Sequence, residues 1–375
     1  MRMQFELDED LREAAQLAEE IFTQLADLQR VRDVERELGG HDGKLWAALA
    51  ESGILGLALP EEHGGSGLGM LALAAVLEQQ GRRVAPVPLA AAVAMAAMPL
   101  ASWGTKAQCE RWLPAFLDGS ALIVGAIDAS VEGDNAVRGE RDGAGWKLSG
   151  TLSAVPGAPA ADALLIPVMT DSGVVAVLLP TDREGVHRER IAVTHQGAAA
   201  TVVLSAVHVD DDELLTGGGA AIRQARLLGR VALAAVQAGV CDEAIAITAA
   251  YTSERIQFDR PLSTNQAVSA RAADAHLDAE RIKLTTRRAA WLVDGESDDA
   301  EAASLVASWW AAQGGLRVVH ATQHLHGGMG ADIDYSIHRY FLWGRQNAYS
   351  LGSAPALLAE LGSMVETLPM IGAPA

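Results

Sequence analysis

The chain is short of cysteine and of positive charge, and it contains no internal repeat; each shortage narrows what it can be. Only Cys109 and Cys241 occur in its 375 residues. They lie far apart and share no metal-ligand spacing. Neither a disulfide framework nor a cysteine metal site is expected, and a reduced, cytoplasmic compartment is the simplest expectation. Lysine and arginine number 29 against 48 acidic residues, a formal net charge of −19. Such a surface repels phosphate backbones and anionic lipid, so neither nucleic acid nor a membrane is expected as a partner. Met1 to Asp10 has no apolar stretch, and no secretory signal is visible there. Val84 to Trp103 carries no charge and approaches membrane-spanning length. It is mostly alanine, however, and contains Pro86, Pro88 and Pro99, which reads as a buried helix of a soluble domain, with a membrane or interface role as the alternative.

What is present divides into three zones. Half of the residues are apolar, and the length suits two or three packed units. Residues 1–120 read as an N-terminal helical domain. Asp8 to Leu38 is charged and amphipathic, Leu45 to Ile54 has an apolar face stopped near Gly53, and Met70 to Gln80 and Lys106 to Leu117 are further helices. A glycine-rich loop, Pro60 to Gly67, separates them. Residues 121–215 read as an antiparallel β domain, with strands at Trp146 to Leu152, Ala163 to Val168, Val174 to Leu179 and Thr201 to Val209. Residues 216–375 read as a bundle of four long helices: Ile222 to Ile256, Gln266 to Asp294, Ala300 to His324 and Ala354 to Thr367. In the second of these, Asp274, Asp278 and Glu280 are expected to face solvent, and Ala273 and Leu277 the core. The fold class expected is therefore α+β.

Three segments carry more than secondary structure. Leu45 to Gly56, followed by Pro60-Glu61-Glu62-His63-Gly64-Gly65, is the first. Tyr251-Thr252-Ser253-Glu254-Arg255-Ile256-Gln257-Phe258-Asp259-Arg260-Pro261, with Asn265-Gln266-Ala267 after it, is the second. His326-Gly327-Gly328-Met329-Gly330 is the third. Together, and at this spacing, the chain resembles the acyl-CoA dehydrogenase family over nearly its whole length. The resemblance implies FAD as cofactor and a CoA thioester as substrate. Because CoA is itself an anion, the overall charge implies that any CoA site is a local basic feature or a helix terminus.

The resemblance also implies roles. Arg255, Phe258 and Gln266 would face the FAD of a neighbouring subunit: a guanidinium binds pyrophosphate bidentately, and a phenyl ring packs on a ring face. The plain alternative is that Arg255 compensates a helix C-terminus and Phe258 is core. Gly327 and Gly328 would let the backbone approach the ADP portion, or simply end a helix. His324 stands where the family usually has glutamine, so the polar contact there departs from the pattern. Arg230 corresponds either to a residue near the catalytic end of the substrate cavity or to an ordinary helix ion pair.

Dehydrogenation requires a carboxylate that removes the proton α to the thioester. In the family it is a glutamate at one of two positions, which correspond here to Leu351 and Gly229; neither accepts a proton. The segments that usually contact the flavin in the β domain read Ile127-Asp128-Ala129-Ser130 and Ala154-Val155-Pro156, without the usual aromatic and hydroxyl. The sequence is most similar to the base-less subunit of α2β2 members that act on steroid side-chain CoA esters in actinobacteria. This implies no catalytic residue of its own, FAD shared across a subunit interface, and a homologous partner subunit carrying the glutamate. Two other readings stay open: a self-sufficient flavoenzyme drawing on Asp334, Glu254 or Asp242, and a scaffold or CoA-binding protein without flavin. Small residues at Gly229, Ala234 and Ala238 are compatible with a wide cavity.

Overall fold

A computed structural model describes residues 9–127 and 136–365. The first layer is helical: α1 (Glu9–Leu25), α2 (Leu28–Glu37), α3 (Gly43–Glu51), α4 (Gly69–Arg83), α5 (Met98–Trp103) and α6 (Lys106–Leu117). The amphipathic stretch expected as one helix breaks at Ala26-Asp27, where the Asp27 side chain caps α2 by accepting from the Arg30 amide. Gly53, with φ of 77°, ends the α3 region in the left-handed conformation that glycine adopts at little cost. Between α4 and α5, the alanine-rich run forms a buried π-helical segment, Ala90–Ala97, that continues directly into α5. π-helical turns are rare and concentrate at functional sites.

The middle layer is one sheet of seven strands: β1 (Ile123–Gly125), β2 (Arg138–Asp142), β3 (Gly145–Pro156), β4 (Ala163–Thr170), β5 (Gly173–Pro180), β6 (Val186–Arg190) and β7 (Ala199–Asp210). Most pairings are antiparallel, as the alternation predicts. β1 and β2, however, each pair with β4 in parallel, which the local pattern does not reveal. The register of β3 against β7 shifts between Leu152 and Val155, and Ala154 within that shift adopts φ of 52°.

The third layer is α7 (Gly219–Glu254), α8 (Gln266–Asp294), α9 (Ala300–Leu325), α10 (Ile337–Asn347) and α11 (Ala354–Ser363), with a hairpin of β8 (Ile256–Gln257) and β9 (Arg260–Pro261) after α7. α7 has 36 residues, so its length is roughly 54 Å. By length and composition it could cross a membrane, but two thirds of its apolar stretch is buried against the other helices. α10, which the sequence pattern does not separate as a helix, packs on both α7 and α9. The phase of α8 also differs from expectation. Asp278 is buried, at 4% exposure, while Ala273 and Leu277 face outward. Arg317 of α9 donates twice to the Asp278 carboxylate at 2.7 Å, and Arg281 donates at 2.9 Å. The buried acid is thereby matched by charge-assisted hydrogen bonds.

Two features bring the layers together at one place. α4 crosses α7 backbone to backbone: a Cβ on Gly81 would lie 2.1 Å from the Val236 carbonyl oxygen, and one on Gly239 would lie 1.9 Å from that of Glu78. In addition, Gln237, fully buried on α7, donates to the Gly344 carbonyl and accepts from Asn347, which holds α10 against α7.

Candidate functional site

A cavity of about 320 Å³ opens where these layers meet. α4 contributes Gln80, the π-helical segment Ala91 and Met95, β1 and its exit Gly125 to Ile127, β3 Ser153 to Pro156, α7 Leu233 and Val236, and α10 Trp343, Gln346 and Asn347. Tyr349 to Leu351, just past α10, close one end, and His195 from the loop between β6 and β7 closes another. That loop is tied to α10: the Thr194 amide donates to Gln346 Oε1 at 3.1 Å, and the His195 ring meets Trp343 edge-on at 5.0 Å.

Local sequence explains the walls. Val84 leaves α4 at φ of 44°, and Gln80 Nε2 donates to the carbonyls of Ala85 (3.1 Å) and Val87 (2.7 Å). The turn before the π-helical segment is thus fastened back onto α4. Gly125 allows β1 to approach that segment, because a Cβ there would lie 2.4 Å from the Met95 carbonyl oxygen. Leu351, at φ of 58°, and Ala154 are both non-glycine residues in the left-handed region. Strain of this kind, about 1–3 kcal/mol per residue, concentrates at functional sites.

Among the described residues no Asp, Glu, Lys or Arg lines the cavity. The two positions expected to have lost a base, Gly229 and Leu351, lie against each other beside this cavity. A Cβ on Gly229 would lie 2.8 Å from the Met95 side chain and 2.9 Å from Leu351 Cδ1, so hydrocarbon fills the point that both positions address. The one titratable imidazole in the wall, His195, is pushed down to about 4 by burial and stays neutral at pH 7. Such a group is a weak general base. The wall can therefore enclose a neutral apolar group and offer it hydrogen bonds from amides, hydroxyls and an imidazole.

The remaining expected site residues lie elsewhere. Arg230, buried on α7, pairs with Glu360 of α11 and does not line the cavity. Of the carboxylates weighed as substitutes, Asp242 is held by Arg82 and Lys283 rather than facing solvent freely. Asp334 is exposed beside Arg36, and Glu254 is exposed at the end of α7. Ala234 and Ala238 are buried but are not part of the cavity wall. Asp128 to Ser130 lie outside the described residues.

The description "Acyl-CoA dehydrogenase, N-terminal domain" matches residues 8–120, and "Acyl-CoA dehydrogenase, C-terminal domain" matches residues 217–358. The acyl-CoA dehydrogenase FadE27 of Mycobacterium tuberculosis is 33% identical over 98% of this chain and 100% of its own. This chain belongs to the acyl-CoA dehydrogenase family. Among solved structures, a steroid acyl-CoA dehydrogenase variant named Tcur3481-Tcur3483 superposes with a TM-score of 0.90 at 43% identity, covering 96% of this chain and 98% of that one. The ChsE4-ChsE5 complex from Mycobacterium tuberculosis superposes with a TM-score of 0.93 at 33% identity, covering 98% and 100%.

Within this acyl-CoA dehydrogenase fold, the six residues expected at the cofactor gather at the far end of the helical bundle from the cavity. Arg255 caps α7 and is exposed, without an acidic partner among the described residues. Phe258 and Asp259 form the two-residue tip of the β8–β9 hairpin, at φ of 55° and 61°. Phe258 is 90% exposed there, not core. Gln266 opens α8 beside the Asn265 cap, and His324, in contact with Arg271 of α8, lies in the last turn of α9. Gly327 and Gly328 are exposed, and a Cβ on either would meet nothing within 4 Å. His326 anchors this turn. It stacks on Tyr251 at 4.3 Å and bonds Thr248 Oγ1 at 3.1 Å through Nε2. Because the Thr248 hydroxyl already donates to Ala244, Nε2 is the donor and the buried Nδ1 is left without a partner. Burial pushes this imidazole down to about 4 as well.

The sequence reading missed Gln80, Met95, His195 and Trp343. Each sits in an ordinary local pattern, and only the long-range packing of α4, α7, α10 and the sheet assembles them.

Proposed function

We propose that this chain is a subunit of a flavin-dependent, heteromeric acyl-CoA dehydrogenase. In this reading the chain supplies no catalytic glutamate and completes the FAD site of a homologous partner subunit that carries one. The observation that carries the proposal is that Gly229 packs against Met95 and Leu351, two residues of a cavity wall that holds no acid among the described residues. Removing a general base commonly slows proton transfer by about 10²–10⁴-fold.

The opposite end of the bundle supports the second half of the proposal. From Leu233 in the cavity wall to Glu254 at the end of α7 is roughly 30 Å at 1.5 Å per residue. Arg255, Phe258, Gln266, His324, Gly327 and Gly328 are therefore well separated from this chain's own cavity, which supports their serving a neighbour's site. Arg255 and the α8 N-terminus suit a pyrophosphate, exposed Phe258 suits a ring face, and the open glycines suit close backbone approach. Ile256, Met329 and Ile333 add exposed apolar surface at the same end, and Leu277 and Leu284 add it along α8. Surfaces of this kind mark association. FAD held at this end would supply the acceptor for hydride from the substrate β carbon. Arg255, Phe258, Gln266, His324, Gly327 and Gly328 would hold and orient it, and the proton acceptor would come from the partner. Of the solved relatives, one is a steroid acyl-CoA dehydrogenase and another a complex of two proteins, so the substrate proposed is a steroid side-chain CoA thioester.

Co-expression with a homologous subunit, purification through a tag on this chain and a visible spectrum test the reading. The expected product is a yellow complex with one FAD per pair of unlike chains, and Arg255→Ala lowers its flavin content at least tenfold at fixed FAD. Retention of full flavin by that variant, or failure of any homologous subunit to co-purify, would contradict it.

A further inference from the structure

We infer that Arg339 is a positioning residue for the glycine turn Gly327–Ala331: it grips the chain just behind the turn and anchors that grip on Glu35 of α2. The inference rests on the proposed role of the turn at a partner's FAD and adds how the turn is held in place. Three observations lead to it.

First, the turn does not place itself. A Cβ on Gly327 or Gly328 meets nothing within 4 Å, so packing fixes neither residue. His326 anchors the entry, and Gln323 Nε2 donates to the Gly330 carbonyl at 2.8 Å. The exit is different. Ala331 to Asp334 is exposed, and the Ile333 side chain is 59% exposed, so burial does not hold this stretch.

Second, Arg339 supplies what holds it. This residue lies in the first turn of α10 and is almost wholly buried. Its Nη1 donates to the Ile333 carbonyl at 3.1 Å. On the other side of the same group, Nη2 donates to Glu35 Oε2 at 2.8 Å and Nε to Glu35 Oε1 at 3.1 Å. A guanidinium is planar and rigid, so one fork fixes the Ile333 carbonyl relative to α2. Bonds between ionised partners are also the stronger kind.

Third, α2 repeats the contact one residue further on. Arg32 donates to the Asp334 carbonyl, and Arg36 pairs with the Asp334 carboxylate at 3.6 Å. Two successive carbonyls behind the turn are thus held by arginines, and both contacts lead back to α2. The Arg36 pair is exposed on both sides and contributes little, which leaves the buried Arg339–Glu35 pair as the main anchor. α2 also docks through buried Val31 and Val34, so attaching the helix does not by itself require this pair.

The FAD affinity of the complex with its partner subunit tests the inference. Arg339→Lys keeps the charge beside Glu35 but lacks the fork that reaches Glu35 and Ile333 together. Glu35→Leu combined with Arg339→Met replaces the buried pair by apolar side chains, a change that often leaves stability intact. Both are expected to raise the FAD dissociation constant about tenfold or more, the equivalent of one charged hydrogen bond. Co-purification with the partner, the urea midpoint and turnover at saturating FAD are expected to stay at the parent's values. In a Gly327→Val background, where a β-branched residue does not keep φ of 60°, Arg339→Lys is expected to add little, whereas Arg255→Ala adds its full effect. Unaltered FAD affinity in both Arg339 variants overturns the inference. So does flavin loss that accompanies only a lowered midpoint or a lost partner, or an Arg339→Lys effect that adds in full to Gly327→Val. A parent complex that binds FAD and is indifferent to these substitutions overturns this inference alone. A parent complex without FAD overturns the subunit reading, and this inference with it.

Discussion

At the scale of single residues, Phe258 stands out. An aromatic side chain at φ of 55° and 90% exposure gains nothing from packing within this chain. Left-handed backbone costs an L-residue about 1–2 kcal/mol. Phe258→Gly is therefore expected to stabilise the isolated chain by about 1 kcal/mol in urea unfolding, while weakening flavin retention in the complex. A variant that gains stability and keeps flavin would separate the strain from the cofactor. His195 and His326 give a second residue-scale prediction. Both fall to about 4 when folded, from an unfolded value of about 6.5. The unfolded chain therefore binds more protons in that interval. Stability from the buried His326 ring and the half-buried His195 ring is fully present above about pH 6.5 and is lost as pH falls toward 4, by up to about 3 kcal/mol for His326 and less for His195. Unfolding free energies measured from pH 7 to 4.5 are expected to fall less steeply in His195→Phe than in the parent; identical slopes would contradict the assignment.

At the scale of elements, the helix crossing governs the cavity. Gly239→Ala places a methyl 1.9 Å from the Glu78 carbonyl oxygen, which forces α4 and α7 apart. The expected loss is about 3 kcal/mol or more, measured as a drop in the urea midpoint. A fully stable variant would show that the two helices do not depend on that contact. The same scale shows what could be read from the sequence. Helices α7, α8 and α9 and strands β3, β4, β5 and β7 follow from local pattern, whereas β1, β2 and β6 do not, and the long helix expected over Ala354 to Thr367 is the ten-residue α11. α10 is hidden because Ile337-His338-Arg339-Tyr340-Phe341 is rich in weak helix formers and folds through Gln237 and Asn347 rather than through propensity. The α8 phase misleads because Leu277 and Leu284 look like core, whereas the helix buries Asp278 against Arg317 and Arg281 and shows those leucines outward. The parallel pairing of β1 with β4 is a long-range fact that a three-residue apolar strand cannot announce. Gly229 and Leu351 are legible one at a time as residues without an acid. Their meeting at one point, with Met95 between, is visible only in three dimensions. Gln80 and His195 carry no local signal at all.

For the molecule as a whole, two ends with different jobs define the account. One part has a cavity with no acid among the described residues of its wall; another has an exposed arginine, phenylalanine and glycine turn without an acidic partner among the described residues. The arrangement makes sense when two unlike chains share one reaction, each lacking what the other holds. Assembly then contributes to stability by mass action, and the paired chains are expected to unfold several degrees above this chain alone in calorimetry; equal transitions would argue against an obligate pair. The most direct measurement is steady-state oxidation of a steroid side-chain CoA thioester by this chain alone, supplied with excess FAD and an artificial electron acceptor, beside the co-purified complex under the same conditions. Turnover by the complex and none by the chain alone is the predicted result. Turnover by a homo-oligomer of this chain, at a rate within tenfold of the complex, contradicts it.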